Sequence, residues 1–254
     1  MTEDISNPVY FVGAGPGDPE LITVKGRRLL QEAEVVVYTG SLVPAELLEG
    51  LKAEIFNSAG LNLEEVMEIV CRAWRKGRKV VRLHTGDPSI YGAINEQIWR
   101  LAGQEIPFVI VPGVSSANST AAALATELTL PEISQTVIIT RRAGRTPVPE
   151  KENIASLAGH QATMLIFLSA GMIEEVADDL RAGGYGDDTP VAVVEKASRP
   201  EERLVRGTLA TIADQVKEAG ITKTAVIAVG EVLAQAPPPV LSKLYDKNFS
   251  HGFR

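Results

Sequence analysis

The sequence predicts an α/β protein of two halves, each built around a mostly parallel sheet. Short runs rich in Val and Ile alternate with longer amphipathic stretches, a pattern typical of strands joined by right-handed helical crossovers. The chain has 254 residues, which suits two domains of about 100–200 residues each. Aromatic residues make up only 5% of it, so the core must be aliphatic, as the core around a buried parallel sheet is.

Ten short apolar runs are the predicted strands, five on each side of residue 114. The first five are residues 9–12, 35–38, 53–56, 79–83 and 108–111. The second five are residues 136–140, 163–168, 191–195, 203–206 and 225–229. Because a Pro-Gly turn separates the two sets, we place a domain boundary at Val114, with one domain at residues 1–114 and the other at 115–236. A Pro-Pro-Pro run then begins a tail, residues 237–254.

The clearest predicted helix covers residues 62–76. Its apolar side chains recur at i, i+3 and i+4 spacing and form one stripe: Leu63, Val66, Met67, Val70, Cys71 and Trp74. Asn62 is a suitable N-cap with Glu65 as its capping-box partner, and Gly77 ends the helix. Further helices are predicted at residues 115–126, 151–157, 172–181 and 209–219. Cys71 is therefore interpreted as a core residue and not as a nucleophile.

Composition and charge exclude several classes of protein. A net charge of -7 disfavours general binding to a nucleic-acid backbone, which needs a cationic surface. A single cysteine cannot form an intramolecular disulfide, and the sequence has no multi-cysteine metal motif. No apolar run approaches the length of a membrane helix, about 18 residues, and the first residues lack the features of a signal peptide. We therefore expect a reduced, soluble, cytoplasmic protein.

Three strands of the first half end in glycine-containing turns. Their sequences are VGAGPGDP at residues 12–19, HTGDPSIYG at 84–92 and VPGVSS at 111–116. Glycine allows backbone N–H groups to approach a ligand closely, although any one such turn is more often plain turn chemistry. Three of them at the carboxyl ends of strands favour a ligand site. Asp18 and Asp87, each followed by proline, are also predicted to begin helices.

The turns fit a nucleoside better than a dinucleotide. Gly13 and Gly15 resemble the start of a dinucleotide fingerprint, but Asp18 takes the place of the third glycine. The second strand ends in the sequence YTG at residues 38–40, without an acidic residue for a ribose. No Gly-Lys-Ser/Thr phosphate loop occurs in the sequence. A nicotinamide-dependent oxidoreductase is therefore the weaker alternative to a protein that binds S-adenosylmethionine.

Together the motifs resemble the tetrapyrrole (corrin and porphyrin) methylase family. The resemblance is carried by residues 12–19, 85–88 and 111–113, and it continues through 191–207 and 224–231. The branch of the family that methylates C11 of precorrin-4, or of cobalt-precorrin-4, in cobalamin biosynthesis is similar in residues 38–44, 58–63, 140–147 and 244–254. Another acceptor, such as uroporphyrinogen III, is an alternative, as is a non-catalytic tetrapyrrole-binding protein.

The resemblance implies two α/β domains, a homodimer, and S-adenosylmethionine bound in a cleft between the domains, with S-adenosylhomocysteine as the product. By similarity, the cofactor-binding residues are Pro16, Thr85, Gly86, Asp87, Ile90, Ser115, Ser116, Phe167, Leu168, Ala197, Thr224 and Ala225. At residues 167–169 several members carry Tyr-Met-Gly where this chain has Phe-Leu-Ser. A backbone contact to the adenine could survive that difference.

The implied acceptor is a tetrapyrrole with many carboxylates, which needs cationic anchors. Arg141, Arg142 and Arg145 form the densest cationic cluster, in a loop after a strand, and arginine can pair with carboxylates in a bidentate way. The same run could be an ordinary solvated loop. Tyr38 and Ser41, at the end of the second strand, are weaker candidates for substrate binding.

Methyl transfer from a sulfonium depends on positioning more than on acid–base chemistry, so no catalytic residue and no metal ligand is assigned. Asp87 could accept hydrogen bonds from the ligand or cap a helix, and the sequence favours neither role. His84 invites a general-base role, but its place at the end of an apolar strand favours a structural one. His160 and His251 belong to no motif of metal ligands.

Overall fold

The computed structural model describes residues 7–40, 42–234, 242 and 249–250, which form two compact units divided between Ser116 and Ala117. The division falls two residues after Val114, and the predicted domain limits stay a prediction. The predicted tail, residues 237–254, lies almost wholly outside the described residues. Among the helices in the described part of the chain, none has the length and apolar character of a membrane span.

The first unit is built on five strands: β1 (Val9–Gly13), β2 (Val35–Tyr38), β3 (Glu54–Asn57), β4 (Val80–His84) and β5 (Phe108–Val111). They lie in the order β3-β2-β4-β1-β5, and every neighbouring pair is parallel, as predicted for this half. The helices between them are α1 (Val24–Gln31), α2 (Leu63–Arg75) and α3 (Asn95–Ala102). Because the strands are parallel, all five end at the same edge of the sheet.

The two faces of this sheet carry separate apolar layers. Successive residues of a strand point to opposite faces. Phe11 and Val37 therefore pack in the layer formed with α2 and α3, whereas Val12 and Val36 pack in the layer formed with α1. The aliphatic core expected from the composition is present on both faces, and the sheet is buried between helices.

Helix α2 begins as the sequence predicts. Asn62 Oδ1 accepts a hydrogen bond from the backbone N–H of Glu65 at 3.0 Å, and Glu65 Oε2 accepts one from the backbone N–H of Asn62 at 2.8 Å. This reciprocal pair is a capping box. Cys71 is buried in the apolar layer beneath the helix, and burial raises the pKa of its thiol. A buried, protonated thiol fits the interpretation of Cys71 as a core residue.

The second unit has five more strands: β6 (Val137–Arg141), β7 (Thr163–Phe167), β8 (Pro190–Glu195), β9 (Arg203–Thr208) and β10 (Ala225–Val229). They form a sheet in the order β6-β7-β10-β8-β9. The helices are α4 (Ser116–Ala123), which starts at the division, α5 (Ile154–Ala158), α6 (Ile173–Ala182) and α7 (Ile212–Glu218). Helices α5, α6 and α7 contribute to one apolar cluster with the sheet.

The expectation of a mostly parallel sheet is wrong for the second unit. Only β6 and β7 are parallel, and the other three pairs are antiparallel. The cause is the link between β8 and β9, residues 196–202, which is too short for a crossover helix and reverses the chain. Helix α7 then leads from β9 to β10, and β10 enters between β7 and β8, antiparallel to both.

Several predicted element limits shift because local hydrogen bonds set the actual ends. The helix predicted at residues 151–157 begins only at Ile154, where the side chain of Asn153 accepts a hydrogen bond from the backbone N–H of Ser156 at 2.8 Å. The helix predicted at 209–219 begins at Ile212, and the one predicted at 115–126 ends at Ala123. None of these shifts changes the order of the elements.

Candidate functional site

The three glycine turns of the first unit pack directly against one another. They follow β4, β1 and β5, which are neighbours in the sheet. A Cβ atom on Gly113 would lie 2.2 Å from the carbonyl oxygen of Gly86 and 2.8 Å from the Cα atom of Gly13. Gly15 and Gly86 also exchange two backbone hydrogen bonds, of 3.3 and 2.8 Å. The glycines are therefore required for backbone-to-backbone contact, which a side chain would prevent.

Asp87 ties the second turn to the third. Its Oδ2 atom accepts a hydrogen bond from the backbone N–H of Gly113 at 2.8 Å, and its Oδ1 atom accepts from the backbone N–H of Ser89 at 2.8 Å and from the Ser89 hydroxyl. Partial burial opposes ionisation of Asp87, but the hydrogen bonds from Ser89 and Gly113 outweigh burial and lower its pKa. The carboxylate is thus anionic at neutral pH and holds the two turns together.

The helix expected to begin at Asp87 is absent, and this expectation is wrong. Residues 88–91 form a turn, and α3 begins only at Asn95. The hydrogen bond to Gly113 draws the Asp87 side chain across to a neighbouring turn. Asp18, in contrast, begins a short 3₁₀ helix at Pro19–Leu21, and its side chain accepts a hydrogen bond from the backbone N–H of Glu20.

The other predicted cofactor residues of the first unit gather at the same edge of the sheet. Thr85 follows β4, and its hydroxyl oxygen lies 3.3 Å from that of Thr39, which follows β2. A Cβ atom on Gly86 would meet its nearest neighbour, the backbone nitrogen of Ser116, only at 3.9 Å. Gly86 therefore stands in ordinary contact with the third turn, without the overlap that a Cβ atom on Gly113 would cause. Pro16 and Ser115 are buried, Ile90 and Ser116 are partly buried, and Ser41 lies outside the described residues.

His84 fits a structural role. It is buried at 2% exposure, its ring stacks on that of Phe11 with the ring centroids 6.0 Å apart, and its Nε2 atom has no hydrogen-bond partner among the described residues. Burial, reinforced by the charge of Arg82, lowers its pKa to about 3. The imidazole is therefore neutral at physiological pH and is enclosed in the core.

In the second unit, the predicted cofactor residues share one edge of the sheet. Because β10 is antiparallel to β7 and β8, its first residue lies beside the last residues of those strands. Ala225 pairs with Glu195, and the backbone N–H of Lys196 donates to the carbonyl oxygen of Thr224 at 2.8 Å. Phe167 ends β7 at this edge. Leu168, Ala197 and Thr224 stand in the connections that meet there.

The backbone at this edge is strained. Positive φ angles of 50–67° occur at four non-glycine residues: Leu168, Lys196, Ser198 and Thr224. L-residues adopt such angles at a cost of about 1–3 kcal/mol each, and they concentrate at ligand sites. Leu168 is 69% exposed. Ser169 supports this turn, because its hydroxyl donates to the carbonyl oxygen of Phe167 at 2.7 Å and accepts from the backbone N–H of Arg142 at 2.9 Å.

Two arginines of the predicted substrate cluster have partners within the protein, and the third has none among the described residues. Arg141, the last residue of β6, donates to the carbonyl oxygens of Thr146 at 3.2 Å and Pro147 at 2.7 Å and so closes its own loop. Arg142 forms an ion pair with Asp179 of α6, with Nε and Oδ2 2.7 Å apart. Arg145 is exposed and has no ion-pair or hydrogen-bond partner among the residues that the structure describes. Among the three, Arg145 is therefore the one available to an acceptor carboxylate.

Comparison with known proteins identifies the family. A family model described as Tetrapyrrole (Corrin/Porphyrin) Methylases matches residues 8–213. This range includes all the predicted site residues except Thr224 and Ala225, at the start of β10. The chain belongs to the tetrapyrrole methylase family. This membership confirms the resemblance. The alternative that the glycine turns belong to a nicotinamide-dependent oxidoreductase is therefore wrong.

The methylase is similar over nearly its whole length to named enzymes. It is 58% identical over 253 residues to a cobalt-precorrin-4 C(11)-methyltransferase of Methanocaldococcus jannaschii, covering 99% of this chain and 97% of that protein. It is 49% identical over 247 residues to a precorrin-4 C(11)-methyltransferase of Pseudomonas aeruginosa, covering 97% and 98%.

Solved structures confirm the fold of the methylase. A cobalt precorrin-4 methyltransferase matches with a TM-score of 0.88 and 45% identity, over 92% of this chain and 99% of that one. A uroporphyrin-III C-methyl transferase from Thermus thermophilus, complexed with S-adenosylhomocysteine, matches with a TM-score of 0.76 and 31% identity, over 89% and 98%. The two α/β units of the methylase are thus those of its family.

Proposed function

We propose that this methylase transfers the methyl group of S-adenosylmethionine to C11 of precorrin-4 or cobalt-precorrin-4 in cobalamin biosynthesis, as a homodimer in the cytoplasm. The observation that carries the proposal is 58% identity, over 99% of the chain, to an enzyme named for this reaction. Identity falls to 31% for the uroporphyrin-III enzyme, so the corrin precursor is favoured over uroporphyrinogen III as the acceptor.

The turns of the first unit suit a nucleoside as ligand. The Thr39 and Thr85 hydroxyls lie side by side after β2 and β4, and each can donate or accept a further hydrogen bond. Asp87 Oδ1 already accepts two hydrogen bonds and Oδ2 accepts one, so about one of the four acceptor sites of the carboxylate is left for a ribose or amino donor. A related methylase binds S-adenosylhomocysteine. The cofactor residues of both units remain part of this proposal.

The chemistry needs orientation more than proton transfer. When bound, S-adenosylmethionine supplies an activated sulfonium methyl group for an in-line displacement by the ring carbon. The locked turns hold their backbone groups in place before the ligand arrives, which reduces the entropy lost on binding. His84 is buried and neutral, and we assign it no proton transfer. Arg145 is proposed to bind a carboxylate of the acceptor.

The proposed reaction is tested by incubating the purified protein with S-adenosylmethionine and, in parallel, precorrin-4, cobalt-precorrin-4 or uroporphyrinogen III. We expect S-adenosylhomocysteine and a C11-methylated product from one or both precorrins, identified by mass spectrometry and NMR. A product from uroporphyrinogen III alone would change the acceptor. If the protein binds S-adenosylhomocysteine but forms no methylated product, a non-catalytic tetrapyrrole-binding protein would be supported instead.

Two arginine substitutions separate acceptor binding from stability. Arg145→Ala is expected to raise KM for the acceptor about tenfold at unchanged Tm, because it removes one charge-assisted contact of about 1.5 kcal/mol. Arg142→Ala is expected to lower the free energy of unfolding by about 1 kcal/mol, since it breaks a partly buried ion pair with Asp179. Steady-state kinetics and thermal unfolding of both variants measure the difference. Equal effects on KM and Tm in the two variants would contradict this division.

A further inference from the structure

A cavity of the first unit lies near the same edge of the sheet as the glycine turns. It has a volume of about 230 Å³ and is lined by the β3–α2 connection, the first turn of α2, β4 and the start of α3. Its polar residues are Ser58, Asn62, Arg82, Glu96 and Gln97. The glycine turns occupy the β4-β1-β5 half of the edge. The cavity occupies the β3-β2-β4 half.

Arg82 lies in the wall of this cavity, buried at 5% exposure. Its Nε atom donates to the side-chain oxygen of Gln97 at 3.0 Å, and its Nη1 atom donates to the carbonyl oxygen of Val37 at 3.1 Å. Both acceptors are neutral. In the described part of the chain, no carboxylate lies within ion-pair distance of Arg82, and its Nη2 atom has no hydrogen-bond partner.

A buried cation without a counter-charge is costly. Removing a guanidinium from water loses its hydration, and neutral acceptors replace only part of it. Burial accordingly lowers the pKa of Arg82 to about 10. Gln97 cannot supply the missing charge, because its side chain is a neutral amide. The amide nitrogen donates to the carbonyl oxygen of Ala93, and the amide oxygen faces Arg82. Glu96 also lines the cavity, but it is exposed and forms no ion pair with Arg82.

We propose that this cavity is a carboxylate subsite, in which Arg82 binds one acetate or propionate side chain of the tetrapyrrole acceptor. The inference rests on the proposed function. A guanidinium offers parallel N–H donors to a carboxylate. At about 30 Å³ per water molecule, the cavity holds on the order of eight waters, enough for a short carboxylate side chain with some remaining solvent. An acceptor bound there lies on the same sheet edge as the nucleoside turns, as methyl transfer requires.

Gln97→Glu tests the subsite without removing Arg82. The new carboxylate has nearly the shape of the amide and stands 3.0 Å from Arg82 Nε, so it neutralises the guanidinium inside the protein. We expect an unchanged or higher Tm, an unchanged Kd for S-adenosylhomocysteine by calorimetry and an unchanged kcat. KM for the precorrin acceptor should rise about tenfold. Arg82→Met should raise KM similarly, with a lower Tm.

The control is Arg100→Met, which removes an exposed arginine of α3 that pairs with Glu64. It lowers the net positive charge near the cavity as Arg82→Met does, and we expect KM within twofold of the wild type. If Gln97→Glu also keeps KM within twofold, Arg82 has only a structural role and the subsite is refuted.

A binding measurement separates this inference from the proposed function. Uroporphyrin, a stable octacarboxylate, is titrated into the S-adenosylhomocysteine complex, and quenching of its fluorescence gives Kd. Tenfold weaker binding by Gln97→Glu supports the subsite even if the wild type does not methylate precorrin-4, in which case only the reaction is wrong. Equal Kd values for the wild type and Gln97→Glu, or no binding by the wild type, count against the subsite.

Discussion

Gly113→Ala is expected to abolish binding of S-adenosylhomocysteine and to lower the free energy of unfolding by about 3 kcal/mol. The added methyl group would lie 2.2 Å from the carbonyl oxygen of Gly86 and 2.8 Å from Gly13 Cα, so backbone must move. That movement would also break the hydrogen bond from Gly113 to Asp87. All three turns would separate together. Calorimetric titration with S-adenosylhomocysteine and chemical unfolding measure the two effects.

The matched control for this substitution is Gly103→Ala. Gly103 follows α3, and a Cβ atom there would meet its nearest neighbour, the carbonyl oxygen of Trp99, at an ordinary 3.4 Å. We expect the free energy of unfolding and the S-adenosylhomocysteine affinity of Gly103→Ala to stay close to those of the wild type. Unimpaired binding by Gly113→Ala would mean that the turns tolerate separation and that their contact does not shape the nucleoside site.

His84 is expected to make the fold sensitive to acid. Its pKa is about 3 in the folded protein and 6.5 in the unfolded chain. Between these values the unfolded chain binds a proton that the folded protein does not, so unfolding becomes more favourable as pH falls. The slope is about 1.4 kcal/mol per pH unit. Urea unfolding of the wild type and His84→Phe at several values between pH 7 and pH 4.5 measures this contribution.

The wild type should lose stability relative to His84→Phe as pH falls, because the variant has no imidazole to protonate and keeps a ring against Phe11. Carboxylates contribute equally to both proteins and cancel in the comparison. His160→Gln, which replaces an exposed histidine, is the control and should follow the wild type. Parallel stability curves for the wild type and His84→Phe would show that His84 binds protons equally in the folded and unfolded states, so that burial does not lower its pKa.

Strand positions were predictable because they depend on local apolar runs. β2, β5 and β10 have the predicted limits, and the other seven strands differ by one or two residues at an end. Strand direction in the second unit was not predictable in the same way, since each residue of β10 pairs with residues at least 30 positions earlier in the chain. The one local signal was the missing helical stretch between β8 and β9, which indicated a reversal.

The convergence of the three glycine turns at the candidate site was predictable, because it follows from topology. Turns after parallel strands meet at one edge, and this placed Gly13, Gly86 and Gly113 together. Side-chain partners were not predictable, because they depend on tertiary contacts. Arg142 pairs with Asp179, 37 residues away, and Asp87 reaches Gly113, 26 residues away. Arg82 gave no signal at all, because its sequence neighbours are ordinary strand residues.

The place of β10 has a consequence for how the protein is made. β10 is the last strand in the part of the chain that the structure describes, yet it lies between β7 and β8 and carries Ala225 at the predicted cofactor edge. On the ribosome, the first unit can complete its sheet as soon as β5 emerges. The second unit must keep the edges of β7 and β8 unpaired until residue 229 has left the exit tunnel. Synthesis that stops early would therefore release a folded first unit attached to an open sheet prone to aggregation.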